Sequence, residues 1–174
     1  MNPTILTHSG FEFNFLDTDG LSHVFQIDDI AHALSNLCRF TGHTRSFYSV
    51  AQHSYLVSTL VPPEHALAGL LHDAAEAYLG DVSTPLKRLL PAYKEIERRI
   101  EAGIFAQFGL PADLPACVKQ ADRTMLATEM RDLMPNHGDL GYDVGRPCAT
   151  LVVRPQTPEM AKAFFLARFE ELRK

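Results

Sequence analysis

The sequence predicts an all-α protein, a mostly helical bundle, with a small β-hairpin at its N-terminus. Apolar residues recur at three- and four-residue spacing through most of the chain, the signature of amphipathic helices. Prolines and glycines stand mainly between those segments. Strand-type alternation is confined to residues 1–26.

In that first region "FEFNF" (11–15) alternates aromatic and polar side chains, "DTDG" (17–20) supplies turn chemistry, and "HVFQI" (23–27) is the expected return strand. "DDIAHALSNLCRF" (28–40) places Ile30, Ala33, Leu34 and Leu37 on one helical stripe, with Asp28 or Asp29 available as a cap. "RFTGHTRSFYS" (39–49) breaks the pattern and reads as a loop. Ser49 and Gln52 form a capping-box pattern that opens "VAQHSYLVSTL", and Pro62 stops it.

Pro63 suits the first turn of the next helix, which is expected to run as far as Gly80. "TPLKRLL" (84–90) reads as a brief helix and "PAYKEIERRIEAGIFAQF" (91–108) as a long amphipathic one ended by Gly109. "ACVKQADRTMLATEMRDLM" (116–134) is another, closed by Pro135. Residues 136–150 read as a long loop, and Thr157 caps a C-terminal helix.

A chain of 174 residues with 46% hydrophobic and 21% charged residues suits one domain. Within it, 1–26 is the hairpin, 27–135 the helical core, and 136–174 the loop and last helix. The formal net charge of -5 argues against a nucleic-acid or anionic-membrane surface. Cys38, Cys117 and Cys148 form no C-x-x-C pair, so neither a disulfide framework nor a thiolate zinc site is indicated. Together with the lack of a signal-like start and of a membrane-length apolar run, this sets a cytoplasmic expectation. Phe164, Phe165, Leu166 and Phe169 offer a surface for a homo-oligomer, although core packing explains them more simply.

The chemistry sits in "LLHDAAEAYLGDVSTP" (70–85). His72 and Glu76 lie one turn apart on a face shared with Ala68, Gly69 and Leu79, and Asp73 is beside them. His53 stands among Val50, Leu56, Val57 and Leu60, and Asp122 among Val118, Met125 and Leu126. Each alone has an ordinary explanation: a hydrogen-bonded core histidine, or a structural ion pair. Three helices that each send a ligand-type residue out of an apolar stripe share one economical explanation, a divalent cation. Two imidazoles and two carboxylates suit Mn, Co, Ni or Fe, with Zn and Mg also compatible, and on an octahedral ion leave positions for water and substrate. Glu76 is placed to relay a proton, or to orient a ligating histidine.

His53, the adjacent His72-Asp73 pair and Asp122 match the H…HD…D pattern of the HD-domain metal-dependent phosphohydrolases. "CRFTGH", "FYSVAQHS", "LLHDAAEAYLGDVSTPLKRLLP" and "VKQAD" resemble, in the same order, the short bacterial and phage 5′-deoxynucleotidase branch of that family. The resemblance covers roughly residues 5–135. It implies a helical fold holding one divalent ion on His53, His72, Asp73 and Asp122, and hydrolysis of deoxynucleotide phosphate esters. It further implies Glu76 as the proton-handling residue, Asp81 as a second acidic residue at the pocket, and Arg39 as a phosphate-binding arginine. The branch has tryptophan after that arginine, where this chain has Phe40, which keeps a stacking face and loses the indole donor.

Lys87 adds local positive charge suited to a phosphate. Thr84 and Pro85 are expected to shape a sugar pocket. The expected substrate is a deoxynucleoside 5′-monophosphate. Two alternatives stay open: release of triphosphate from a dNTP, and a non-catalytic metal-dependent nucleotide-binding module.

Overall fold

Thr4–Leu6 (β1) and Glu12–Asn14 (β2) pair antiparallel, with Ile5 opposite Phe13. The computed structural model describes residues 3–16, 24–135 and 144–173. The hairpin therefore forms, but with a different partner from the one the sequence pattern predicts. The strand drawn from "FEFNF" pairs backwards with "TIL" across a turn containing Gly10, whose φ of 84° favours glycine. Phe25, from the expected return strand, fills the core instead, and Ile27 already begins a helix. Asp17–Gly20, the expected turn, lies outside the described residues.

Ile27–Asn36 (α1) begins at Gln26 without a side-chain cap. Asp28 and Asp29 lie in its first turn, where carboxylates favour the helix dipole, rather than at the cap. Asp29 is buried and tethers the hairpin: it accepts the Ser9 N–H at 2.7 Å and the Ser9 hydroxyl at 2.8 Å. Asp29→Ala is expected to destabilise the protein by about 1–3 kcal/mol, because two part-buried donors lose a charged acceptor. Thermal unfolding checks this at roughly 2–4 °C per kcal/mol.

Val50–Leu60 (α2) is the central element. It packs against α1, against Ala66–Leu71 (α3), against Ala116–Leu133 (α7) and against Pro158–Leu172 (α8). Ser49 caps it by accepting the Gln52 N–H. Gln52 does not complete the capping box; its amide bonds Arg154 and Gln156 instead. Val50 and Ala51 of α2 enter one hydrophobic core with Ile30, Leu34, Leu70, Leu71, Ile104 and Phe165. Val57 enters a second with Tyr48, Val118, Met125 and Val153. His53 lies between the two, which is how a polar ring comes to have no solvent exposure.

The single helix expected from Pro63 to Gly80 is divided. After a 3₁₀ turn at Pro63–His65, α3 ends at Leu71 and Glu76–Leu79 (α4) follows. Between them Ala74, Glu76 and Ala77 donate to carbonyls three residues back, so the chain tightens to 3₁₀ geometry around His72 and Asp73. Gly80, at φ 81°, ends α4. Thr84–Lys87 (α5) and Pro91–Gln107 (α6) follow, and α7 and α8 complete the fold. Thr157 caps α8 as expected, through the Met160 N–H. Phe165 and Phe169 on α8 belong to the core. Among the described residues no helix is long and apolar enough to cross a membrane.

Candidate metal centre

Gly69 lets the centre assemble. A methyl group there would lie 3.1 Å from Ser58 Cα, so its absence allows α3 to press against α2. His72 thereby meets His53, and their Nε2 atoms lie 3.3 Å apart. Asp122 Oδ1, from α7, is 3.2 Å from His53 Nε2 and 4.0 Å from His72 Nε2. Asp73 Oδ2 is 3.2 Å from His72 Nε2 and 3.6 Å from His53 Nε2. The donors of His53, His72 and Asp122 all lie within 4.8 Å of one another, close enough to serve one ion.

The outer nitrogens of both rings are committed. His53 Nδ1–H donates to Glu129 Oε1 at 2.6 Å, and His72 Nδ1–H to the Gly69 carbonyl at 2.8 Å. Those bonds point both Nε2 atoms at each other and at the two carboxylates. With both outer nitrogens committed, the Nε2 atoms and the neighbouring carboxylates are the groups left to face a divalent cation, so the donor set fits the expected metal.

Charge on the centre follows from burial and neighbours. Burial and Arg39 both oppose a charge on His53, yet Glu129 and Asp122 outweigh them and push its imidazole up to about 10. Burial would raise the Asp73 carboxyl, but His72, His53 and Arg39 hold it well below its ordinary range. Asp122, also opposed by burial, is held low by His53 and His72.

Arg39 is not a free loop arginine. It is mostly buried, with Nε 3.2 Å from Glu129 Oε2 and Nη1 3.5 Å from Asp73 Oδ2. Its guanidinium lies 5.7 Å from the centre of the Phe40 ring. Phe40 and Thr41 hold left-handed backbone at φ 54° and 53°, an uncommon conformation for bulky or β-branched residues. The strain falls immediately beside the arginine.

Glu76 is buried on α4, and Lys87 Nζ donates to its Oε1 at 3.3 Å. Burial first, then Asp73 and Asp81, push the Glu76 carboxyl well above its usual range, against Lys87 and Arg39. Burial and Asp73 likewise raise Asp81, which is half-buried and within the same field of charges. Lys87 thus meets two carboxylates, Glu76 and Glu97, rather than open solvent. Thr84 and Pro85 are exposed at the start of α5, on the helix that ends in Lys87.

Sequence reasoning missed Glu129 and Tyr48. Both are fully buried, and Tyr48 Oη donates to Glu129 Oε1 at 2.9 Å. One signal existed: Glu129 stands seven residues after Asp122, two turns along the same face of α7.

No family model matches the chain. It is 49% identical over 148 residues to the uncharacterized protein YfdR of Escherichia coli K12, covering 84% of this chain and 83% of that protein. It is 35% identical over 183 aligned positions, gaps included, to the uncharacterized protein RCAP_rcc00048 of Rhodobacter capsulatus, covering 94% of this chain and 92% of the relative. A 5′-deoxynucleotidase of Pasteurella multocida, PM0747, is 33% identical over 98 residues, which span 54% of this chain and 42% of that enzyme. The partial similarity to a nucleotidase and the candidate metal centre are together consistent with a phosphohydrolase.

Proposed function

We propose that this chain, which belongs to the family of E. coli YfdR, is an HD-type, divalent-metal-dependent phosphohydrolase that converts deoxynucleoside 5′-monophosphates to deoxynucleoside and phosphate. The observation that carries this reading is the convergence of His53, His72 and Asp122, whose donor atoms lie within 4.8 Å of one another, with Asp73 Oδ2 3.2 Å from His72 Nε2 and 3.6 Å from His53 Nε2 and Glu76 four residues beyond His72. The similarity of part of the chain to a protein named as a 5′-deoxynucleotidase supports it. A divalent ion held by the four donors supplies Lewis acidity, offsetting phosphoryl charge and acidifying water.

The chain's own groups do the rest. Glu76, whose carboxyl burial, Asp73 and Asp81 push well above its usual range, takes a proton from the attacking water and returns it to the leaving 5′-oxygen as the P–O bond breaks. Arg39, 3.5 Å from Asp73, steadies the phosphoryl oxygens, and Asp81, which shares the field of Arg39 and Asp73, serves as the second acidic residue. Phe40 presents a ring for stacking, and Thr84 and Pro85 border the sugar.

Local charge favours a monophosphate over a triphosphate. Arg39 is shared by Asp73 and Glu129, and Lys87 by Glu76 and Glu97. A triphosphate would bring several further negative charges to cations that are already paired.

Purified protein loaded with Mn²⁺ and given dAMP is expected to release free phosphate. Intact triphosphate released from dATP would instead establish the triphosphohydrolase alternative, and no hydrolysis with any divalent ion would reduce the centre to a binding site. Metal affinity should also rise with pH. Binding requires a neutral His53 Nε2, so the ion displaces a proton from a group pushed up to about 10. Below that value the Mn²⁺ affinity is expected to rise about tenfold per pH unit, then level off. Isothermal titration below about pH 8, where Mn²⁺ stays in solution, corrected for buffer ionisation, measures both the slope and the released proton.

A further inference from the structure

Lys87 lies between two carboxylates from different helices, and its distances to them are unequal. Its Nζ is 2.5 Å from Glu97 Oε1 on α6 and 3.3 Å from Glu76 Oε1 on α4. The three side chains are largely enclosed, with exposures of 19% for Lys87, 15% for Glu97 and 8% for Glu76. Exposed ion pairs contribute little because solvent screens them, but enclosed ones are screened far less. The Tyr93 ring, also on α6, lies 5.7 Å from the ammonium, and its hydroxyl donates to the Gly80 carbonyl at the end of α4. Glu76 Oε2 is buried and makes no hydrogen bond to the described residues.

We infer that Glu97 is a positioning residue for the reaction proposed above: it draws the Lys87 ammonium off Glu76, leaving the Glu76 carboxylate near a fixed cation but free to accept a proton. The inference rests on the phosphohydrolase reading. An ammonium closed fully on Glu76 would occupy Oε1 with a strong charge-assisted bond and compete with the water proton. An ammonium removed altogether would leave Glu76 beside Asp73 and Asp81, with Arg39 alone of its two cationic neighbours among the described residues. The shared geometry lies between these limits, and Glu97 is the group that sets it.

The test is a kinetic cycle with dAMP and Mn²⁺ on wild-type protein and the variants Glu97→Gln, Glu97→Asp, Lys87→Met and Lys87→Met/Glu97→Gln. Glu97→Gln is expected to lower kcat roughly 10- to 100-fold while KM and Mn²⁺ affinity stay at wild-type values. Glu97→Asp, which keeps the charge one methylene shorter, restores most of the lost kcat. In the Lys87→Met background Glu97→Gln changes kcat no further, because Glu97 acts through the lysine. A merely structural ion pair would lower thermal stability without that kcat-only effect. The inference is overturned by wild-type kcat in the Glu97→Gln protein, by a loss that persists in the Lys87→Met background, or by a Glu97→Asp protein no better than Glu97→Gln. A wild-type protein that hydrolyses no nucleotide sinks the phosphohydrolase reading and this inference together; an active wild type with an unaffected Glu97→Gln variant sinks this inference alone.

Discussion

Glu76→Gln is expected to cut turnover by roughly 10²–10⁴-fold, the range that a positioned general acid–base contributes, while leaving metal binding intact. The glutamine has the shape of the side chain it replaces, and its carbonyl can still accept from Lys87 as Glu76 Oε1 does at 3.3 Å. What it loses is the capacity to hold a proton. None of the four expected ligand atoms belongs to Glu76, so Mn²⁺ stoichiometry should not change. Stability gives an independent sign. Burial raises the Glu76 carboxyl well above its ordinary value of 4.5, so ionising it is disfavoured in the folded state. The stability cost appears as pH rises above the unfolded value and is present at neutrality. The neutral glutamine removes it, so the metal-free variant should melt at a higher temperature near neutral pH, and the difference should vanish in acid. Loss of activity accompanied by a gain in melting temperature is the signature of a functional group kept at a cost to the fold. A variant that retained more than a tenth of wild-type kcat would show instead that Glu76 only orients a neighbouring ligand.

The candidate centre was legible where local pattern and tertiary position agree. His53, His72 and Asp122 each interrupt an apolar stripe at helical spacing; such a stripe faces inward and buries both histidines, while Asp122 meets them from the half-exposed edge of α7. The groups one bond further out were less legible. Arg39 and Lys87 read as positive charge for a phosphate, but the carboxylates that hold them come from α7 and α6, roughly 90 and 10 residues along the chain. Glu129 stands among Thr128, Arg131 and Asp132, a polar context that reads as the exposed end of a helix. Backbone details failed for a related reason. "FEFNF" has a strand pattern that fits either neighbouring segment, and the choice of "TIL" follows from Phe13 and Phe25 filling one core with Tyr78. The tightened turn at residues 72–75 leaves the apolar spacing almost unchanged, so periodicity alone does not reveal it.

Glu129→Gln is the substitution with the widest expected damage. The native carboxylate accepts three bonds and donates none: His53 Nδ1–H at 2.6 Å and Tyr48 Oη–H at 2.9 Å on Oε1, and Arg39 Nε–H at 3.2 Å on Oε2. Burial would raise its pKa, but Arg39, His53 and Tyr48 together hold it low, so the charge is part of the fold. A glutamine has one acceptor oxygen and one NH₂ group. If its oxygen faces His53 and Tyr48, the NH₂ opposes the Arg39 Nε–H; if it turns, the NH₂ opposes the other two donors. Either way a buried cation loses its counter-charge, which typically costs about 3–5 kcal/mol. The melting temperature should fall by roughly 2–4 °C for each of these. Metal binding should weaken as well, by about 10- to 100-fold, because His53 loses the acceptor that fixes its tautomer and ring orientation. Arg39, released from Glu129, keeps its ion pair with Asp73 and competes with the metal for that carboxylate. Tyr48→Phe separates the two effects. It removes one neutral donor, leaves the His53 and Arg39 bonds in place, and should lower stability by about 1 kcal/mol with Mn²⁺ affinity retained. A Glu129→Gln protein that melts early yet binds Mn²⁺ as tightly as wild type would show that this carboxylate supports the fold alone. Loss of both, against the Tyr48→Phe control, places Glu129 in the machinery of the metal centre.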